Sequence, residues 1–177
     1  MDNSATTKPC PQAVEAITRA LTEQWGNPSA LYSFGIDAAR ELRGARHQVA
    51  AAMGAEPERV FFTSGGTEAD NWAVMGAVKR LGKRGRHIVT TAMEHHAILN
   101  CMQELEAQSF EVTYLKPDGM GRVSTEDLKA ALRRDTILVS VMMVNNEVGS
   151  VMPIAQMAKL THRLCPDAIF HTDAVQG

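Results

Sequence analysis

From Val60 to the end of the sequence, short β-rich runs alternate with helical ones, and no other feature restricts the fold as strongly. The β-rich runs are Val60–Thr63, His87–Thr91, Glu111–Leu115, Ile137–Val144 and Ala168–Thr172. Helical spacing marks Thr67–Leu81, Ala97–Ala107, Thr125–Leu132 and Ile154–Leu164. This alternation predicts an α/β fold, a mostly parallel sheet with helices on both faces. The run Ile137–Val144 is almost wholly apolar, as expected of a central strand buried on both sides. Two more helices are expected before Val60, over Gln12–Gln24 and Ile36–Met53. The second carries Ala38, Leu42, Ala45, Val49 and Ala52 along one face, with Arg40, Arg43 and Arg46 as its solvated side. No repeat, low-complexity tract or linker interrupts the 177 residues.

Composition bears on partners. A formal net charge of −2 gives no reason to expect nucleic acid, and no apolar run approaches membrane-spanning length. The three cysteines, Cys10, Cys101 and Cys165, are odd in number and too widely spaced for a zinc pattern or a disulfide framework. They read as reduced thiols of a cytoplasmic protein, Cys101 and Cys165 being buried packing residues. The sequence stops at His171-Thr172-Asp173-Ala174-Val175-Gln176-Gly177, directly after a β-rich run, and reads as an interrupted protein.

In an open parallel sheet, ligands bind beyond the carboxyl ends of the strands. Four polar sets are expected there: Ser64-Gly65-Gly66-Thr67, Glu94-His95-His96, Asn145-Asn146-Glu147-Val148-Gly149, and Asp173 with Gln176. Ser64–Thr67 joins a β-rich run to a helix start, an arrangement that offers backbone N–H groups to a phosphate, and Thr67 can cap the helix. It lacks the lysine of a P-loop and the spacing of a dinucleotide fingerprint. Each set also has a plain structural reading. His95 and His96 are consistent with packing or capping, and no third metal ligand accompanies Glu94-His95-His96. Asn145–Gly149 suits a turn, and Asp173 suits a helix cap. Taken together the sets match one ligand, pyridoxal 5′-phosphate. It needs a phosphate cup, a flat residue on its ring, neutral donors at its 3′-oxygen and a carboxylate at its ring nitrogen.

Asp2–Thr7, Gly26–Ser29, Thr63–Asn71, Glu94–His96, Val144–Gly149 and His171–Gln176 occur in this order. Together they resemble the N-terminal half of a cysteine desulfurase of the NifS/IscS kind, in the class V aminotransferase group of pyridoxal-phosphate enzymes. The resemblance covers nearly the whole chain. It implies the large, cofactor-binding domain of a fold-type I pyridoxal-phosphate enzyme, truncated. Residues 12–177 would belong to that domain, and residues 1–11 would form an N-terminal arm belonging with the small domain. It also implies roles. Gly66 and Thr67 would hold the phosphate. His95 would stack on the ring and carry a proton as the catalytic residue. Asn146 and Gln176 would meet the 3′-oxygen, and Asp173 the pyridinium nitrogen. The resemblance implies no metal ligand.

The implied reaction removes sulfur from L-cysteine, giving L-alanine and an enzyme persulfide for iron–sulfur cluster or thiocofactor assembly. A sulfur-acceptor or scaffold protein and a homodimeric intact enzyme follow from the same resemblance. The family's Schiff-base lysine and persulfide-forming cysteine fall beyond Gln176 in the family pattern. Lys8, Lys79, Lys83, Lys116, Lys129 and Lys159 have no matching context, and neither do Cys10, Cys101 and Cys165. The 177 residues alone are therefore expected to be inactive, and to self-associate or pair with a companion chain carrying the missing half. Other readings are a selenocysteine lyase or another class V aminotransferase, and, outside enzymes, a short interaction module or a degenerate paralogue.

Overall fold

The computed structural model describes residues 3–177; Met1 and Asp2, the latter opening the Asp2–Thr7 segment, lie outside them. The chain divides into two compact units, Met1–Phe62 and Thr63–Gly177. The sequence marks that division with no linker.

The first unit is helical. Helix α1 (Pro11–Thr22) opens with proline at its first position, where the missing N–H costs no hydrogen bond. It ends two residues before the expected Gln24, where the Glu23 and Gln24 N–H groups both turn back to the Arg19 carbonyl. Helix α2 (Ser33–Met53) starts one turn earlier than its apolar spacing predicts. Trp25 packs edge-on against Phe34 with ring centroids 4.9 Å apart, fixing the entry to α2. Only Gly35 and Ala50 of α2 are buried, so Leu42 and Val49 remain exposed. Arg46 departs from the expected solvated row. Its Nε donates to the Val60 carbonyl at 3.1 Å, and its guanidinium lies 5.6 Å from the Phe62 ring centroid.

Val60–Thr63 is not a strand. A 3₁₀ turn, Pro57–Arg59, precedes it, and Arg46 takes the Val60 carbonyl that a ladder would use. Phe61 and Phe62 are 65% and 48% exposed. Among the described residues no strand lies beside the apolar run, and that is why it forms no ladder.

The second unit holds the sheet. Its strands are β1 (His87–Thr91), β2 (Glu111–Leu115), β3 (Thr136–Ser140) and β4 (Ile169–His171), all parallel, in the order β2-β1-β3-β4. Helices α3 (Gly66–Leu81), α4 (His96–Ala107), α5 (Thr125–Ala131) and α6 (Ile154–Leu164) connect them. Every residue of β1 and β3 is buried, as central strands require. Period-two alternation sends Ile88 and Leu138 to one face, where they meet Val74 and Leu81 of α3 and Ile98, Met102 and Leu105 of α4. Val89 and Val139 go to the other face, against Leu128 of α5 and Met157 and Leu160 of α6. Each helix pair thus buries its apolar stripe on its own side of the sheet.

At the amino edge, buried His87 bridges Thr136 Oγ1 (2.7 Å) and Thr113 Oγ1 (2.9 Å), joining β3 and β2 to β1. Desolvation lowers its pKa and keeps the ring neutral. The expected run Ile137–Val144 is cut short as a strand: its ladder with β1 stops at Val89↔Val139, its ladder with β4 stops at Ser140↔His171, and Val144 bridges instead to Val151. No helix among the described residues is long and apolar enough to cross a membrane.

Candidate functional site

The chain leaves β1 for β2 on one side and later returns to β3 on the other. The carboxyl ends of β1 and β3 therefore border a topological switch point, where open α/β sheets bind ligands. A cleft of about 400 Å³ lies at this edge, lined by Glu94, His95, Asn145 and Asn146 and, toward β2, by Pro117 and Gly121.

His95 is the N-cap of α4. Its Nδ1 accepts the Ala97 N–H at 3.1 Å, which places the proton of a neutral ring on Nε2. The ring is exposed at the cleft and lies 6.2 Å from that of His96, at 63°. Its capping role and its place at the cleft are compatible, since they use different atoms.

The two adjacent asparagines have different work. Asn145 is buried: its Nδ2 donates to the Met93 carbonyl, and its Oδ1 accepts the N–H groups of Glu147 and Val148, each at 2.9 Å. It ties the turn after β1 to the loop after β3. Gly149 closes that loop at φ 69°, a left-handed conformation that glycine adopts without strain. Asn146 is half-buried, lines the cleft and makes no side-chain hydrogen bond among the described residues.

Helix α3 begins at Gly66, with Gly65 as N-cap. Thr67 therefore sits inside the first turn and does not cap it, contrary to the expectation from sequence. Among the described residues no side chain caps this terminus. The Ser64 hydroxyl and N–H both go to Glu68 Oε2, at 2.7 and 2.6 Å, and these bonds lower the Glu68 pKa. The first-turn N–H groups, which have no partner within a helix, thus remain available to an anion.

The turn after β4 comes up against this terminus. A β-carbon at Gly66 would stand 2.7 Å from Val175 Cγ2. Asp173 is buried, and its Oδ1 accepts the Val175 N–H at 3.0 Å, an Asx turn that fixes residues 173–175. Gln176 is half-buried in the same turn. Behind it, His171 Nδ1 lies 2.9 Å from Ser140 Oγ, and His171 Nε2 lies 3.5 Å from Asp70 Oδ1. The order Ser-His-Asp invites comparison with a hydrolytic triad, but Ser140 is fully buried within β3, so no substrate reaches it. The line anchors β4 to α3 and β3.

The site thus has two parts at one sheet edge. His95 and Asn146 share the cleft toward β2, while Gly66 and the Asp173–Gln176 turn meet toward β4. Thr67, Asp173 and Gln176 do not line that cleft. Between the parts runs the continuation of β3, Val141–Met143, held by Glu94. Sequence reasoning gave no role to Glu94 or Asn145. An acidic residue directly after a strand and the turn Ala92-Met93 was the available signal for the first; nothing in sequence separates Asn145 from Asn146.

The group-binding features fit pyridoxal 5′-phosphate on three observations: the uncapped α3 terminus, a glycine where a β-carbon would collide, and a buried carboxylate beside it. Among the described residues, no three of His, Cys, Asp and Glu converge as a metal site.

A family model described as "Aminotransferase class-V" matches residues 1–177. The cysteine desulfurase IscS of Clostridium botulinum (strain Hall) is 49% identical over all 177 residues, which span 44% of that protein. Among solved structures, a NifS-like protein superposes with a TM-score of 0.96 at 36% identity, over 99% of this chain and 48% of that one. A second, described as SspA in complex with cysteine, gives 0.89 at 34% identity, over 97% and 49%. The chain spans less than half the length of the curated relatives it matches.

Proposed function

The chain belongs to the class V aminotransferase family, and from that premise we propose that it forms much of the pyridoxal-phosphate site of a cysteine desulfurase. The observation that carries this reading is the meeting of Gly66, at an uncapped helix terminus, with the turn that holds buried Asp173. The class of the family and the names of the relatives support the cofactor and the substrate, L-cysteine. In this proposal residues 12–177 belong to the cofactor-binding domain and residues 1–11 to an arm of the small domain.

The residues divide the work. The first-turn amides at Gly66 and Thr67 bind the phosphate, aided by the partial positive charge of the α3 terminus. Asp173, held by the Val175 N–H and shielded from water, keeps a proton on the ring nitrogen through its negative charge. Asn146 and Gln176 orient the ring through neutral donors. His95 would pack against the ring, and its Nδ1, engaged by the Ala97 N–H, leaves Nε2 to carry the proton. When bound, pyridoxal phosphate supplies the electron sink that stabilises a carbanion at the substrate α-carbon. In the intact enzyme, a sulfur acceptor or scaffold protein receives the product sulfur, and two subunits associate.

All six lysines are exposed and none lines the cleft. The 177 residues alone should therefore bind the cofactor noncovalently and release no alanine from cysteine. Absorbance titration with pyridoxal 5′-phosphate tests the first point, with Asp173→Asn expected to weaken binding at least about tenfold. Undiminished binding by that variant would defeat the assigned site. Alanine release by the purified chain would defeat the second point.

A further inference from the structure

Strand β1 stops at Thr91, but the chain that continues β3 runs on. Toward β4 this continuation is still paired. The Val141 N–H donates to the His171 carbonyl at 3.1 Å, and the Met143 N–H donates to the Asp173 carbonyl at 2.8 Å. The intervening amide, Met142, faces the other way, into the place β1 has vacated. There its acceptor is a side chain: Glu94 Oε1, at 2.9 Å. The same oxygen accepts the Thr91 hydroxyl at 2.8 Å. Glu94 is only 5% exposed, and its Oε2 is buried with no hydrogen-bond partner among the described residues.

A carboxyl in this setting is costly, and an apolar or amide side chain would avoid that cost. Burial pushes the Glu94 pKa up to about 7; Asp173 adds to the rise, while His171 and the bonds from Met142 and Thr91 oppose it. Its placement between the two halves of the site gives the carboxyl a purpose.

We propose that Glu94 is a positioning residue of this site: it replaces the missing β1 acceptor, fixes the Met142 amide, and thereby sets where Met143 holds the main chain of Asp173. The inference rests on the reading of Asp173 as the ring-nitrogen partner. The two amides lie in successive planar peptide units that share the Met142 Cα, so holding the first leaves only Met142 φ and ψ to adjust the second. The Asp173 carbonyl hangs from the second amide, and the Asp173 carboxylate is locked to that backbone by Val175.

The test compares wild type with Glu94→Gln and Glu94→Ala. Amide hydrogen exchange is read at Met142 and Met143, and pyridoxal 5′-phosphate is titrated by absorbance. Glutamine keeps the acceptor oxygen, so both measures should stay within about twofold of wild type. Alanine removes it, so exchange at both amides should speed up and affinity fall, each by about tenfold. The absorbance maximum of the bound cofactor should shift in the alanine variant alone, reporting a displaced Asp173. If Glu94→Ala does not fold, Glu94→Asp, one methylene short of Met142, takes its place with the same expectations. Unchanged Met143 exchange and unchanged affinity in the truncated variant would overturn the inference while leaving the cofactor reading intact. Failure of wild type to bind pyridoxal phosphate would instead sink the cofactor reading, and the inference with it. Glutamine behaving like alanine would also overturn it, since an acceptor at Met142 would then be insufficient.

Discussion

Val175 Cγ2 stands 2.7 Å from the point a β-carbon on residue 66 would occupy, so Gly66 and Val175 can be neighbours only because one of them has no side chain. Gly66→Ala should push the Asp173–Val175 turn away from α3. The expected loss of stability is about 1–3 kcal/mol, typical of overpacking. Pyridoxal phosphate affinity should fall more than stability does. Val175→Ala should restore part of both losses in the double variant, because the two sites are in contact. Urea denaturation and cofactor titration of the four proteins measure this; additive losses would show that the contact is not the cause.

Glu94 makes stability depend on pH in a definite direction. Its folded-state pKa of about 7 lies above the ordinary 4.5, so the folded chain keeps this proton where the unfolded chain has lost it. The contribution is fully present below pH 4.5 and is lost as pH rises through 7. Its upper bound is about 3.5 kcal/mol, from about 1.4 kcal/mol per pKa unit. Urea midpoints between pH 5 and 8 should fall in wild type relative to Glu94→Gln. Parallel profiles would contradict the assignment.

Asn145 and Asn146 should separate stability from binding. Asn145→Ala leaves the Met93 carbonyl and the Glu147 and Val148 N–H groups without their partner, at a cost of about 2 kcal/mol. Asn146→Ala removes no side-chain hydrogen bond among the described residues, so it should stay within about 0.5 kcal/mol of wild type, yet weaken the cofactor. The same denaturation and titration pair reads both. Equal destabilisation would refute the division of roles.

The thiols should differ in reactivity. Cys10 is exposed, whereas Cys101 and Cys165 are buried and desolvation raises the pKa of each. Alkylation at pH 8 should modify Cys10 quickly and the other two only after unfolding, with mass spectrometry assigning each. Rapid labelling of Cys101 in the folded chain would show that its packing against Asn71, Sγ to Oδ1 3.0 Å, is open in solution.

Where local pattern and packing agree, the elements are legible to the residue: His87–Thr91, Glu111–Leu115 and Ile154–Leu164 are such cases. Val60–Thr63 is not, because an apolar run becomes a strand only beside another strand. Ile137–Val144 has strand composition throughout, but the length of its ladder is set by neighbours distant in sequence, β1 pairing only as far as Val139 and β4 as far as Ser140. The chemistry follows the same rule. Residue types and order point to a phosphorylated, ring-bearing ligand, while the cap at Gly65, the task of Asn145 and the burial of Glu94 depend on long-range contacts. Arg46 was misplaced for that reason too: helical phase puts it in solvent, and the Val60 carbonyl draws it back.

The parallel sheet also governs when the site can exist. Each ladder in it joins residues far apart in sequence, such as His87 with Thr136 and Leu138 with Ile169. Such topologies fold slowly, since long loops must close before their contacts stabilise anything. Gly66 opens this unit's first helix and Asp173 follows its last strand, so bringing them together closes almost the whole length of the unit. Cofactor capture should therefore report completion of folding, and refolding followed by pyridoxal phosphate absorbance should lag refolding followed by helix content.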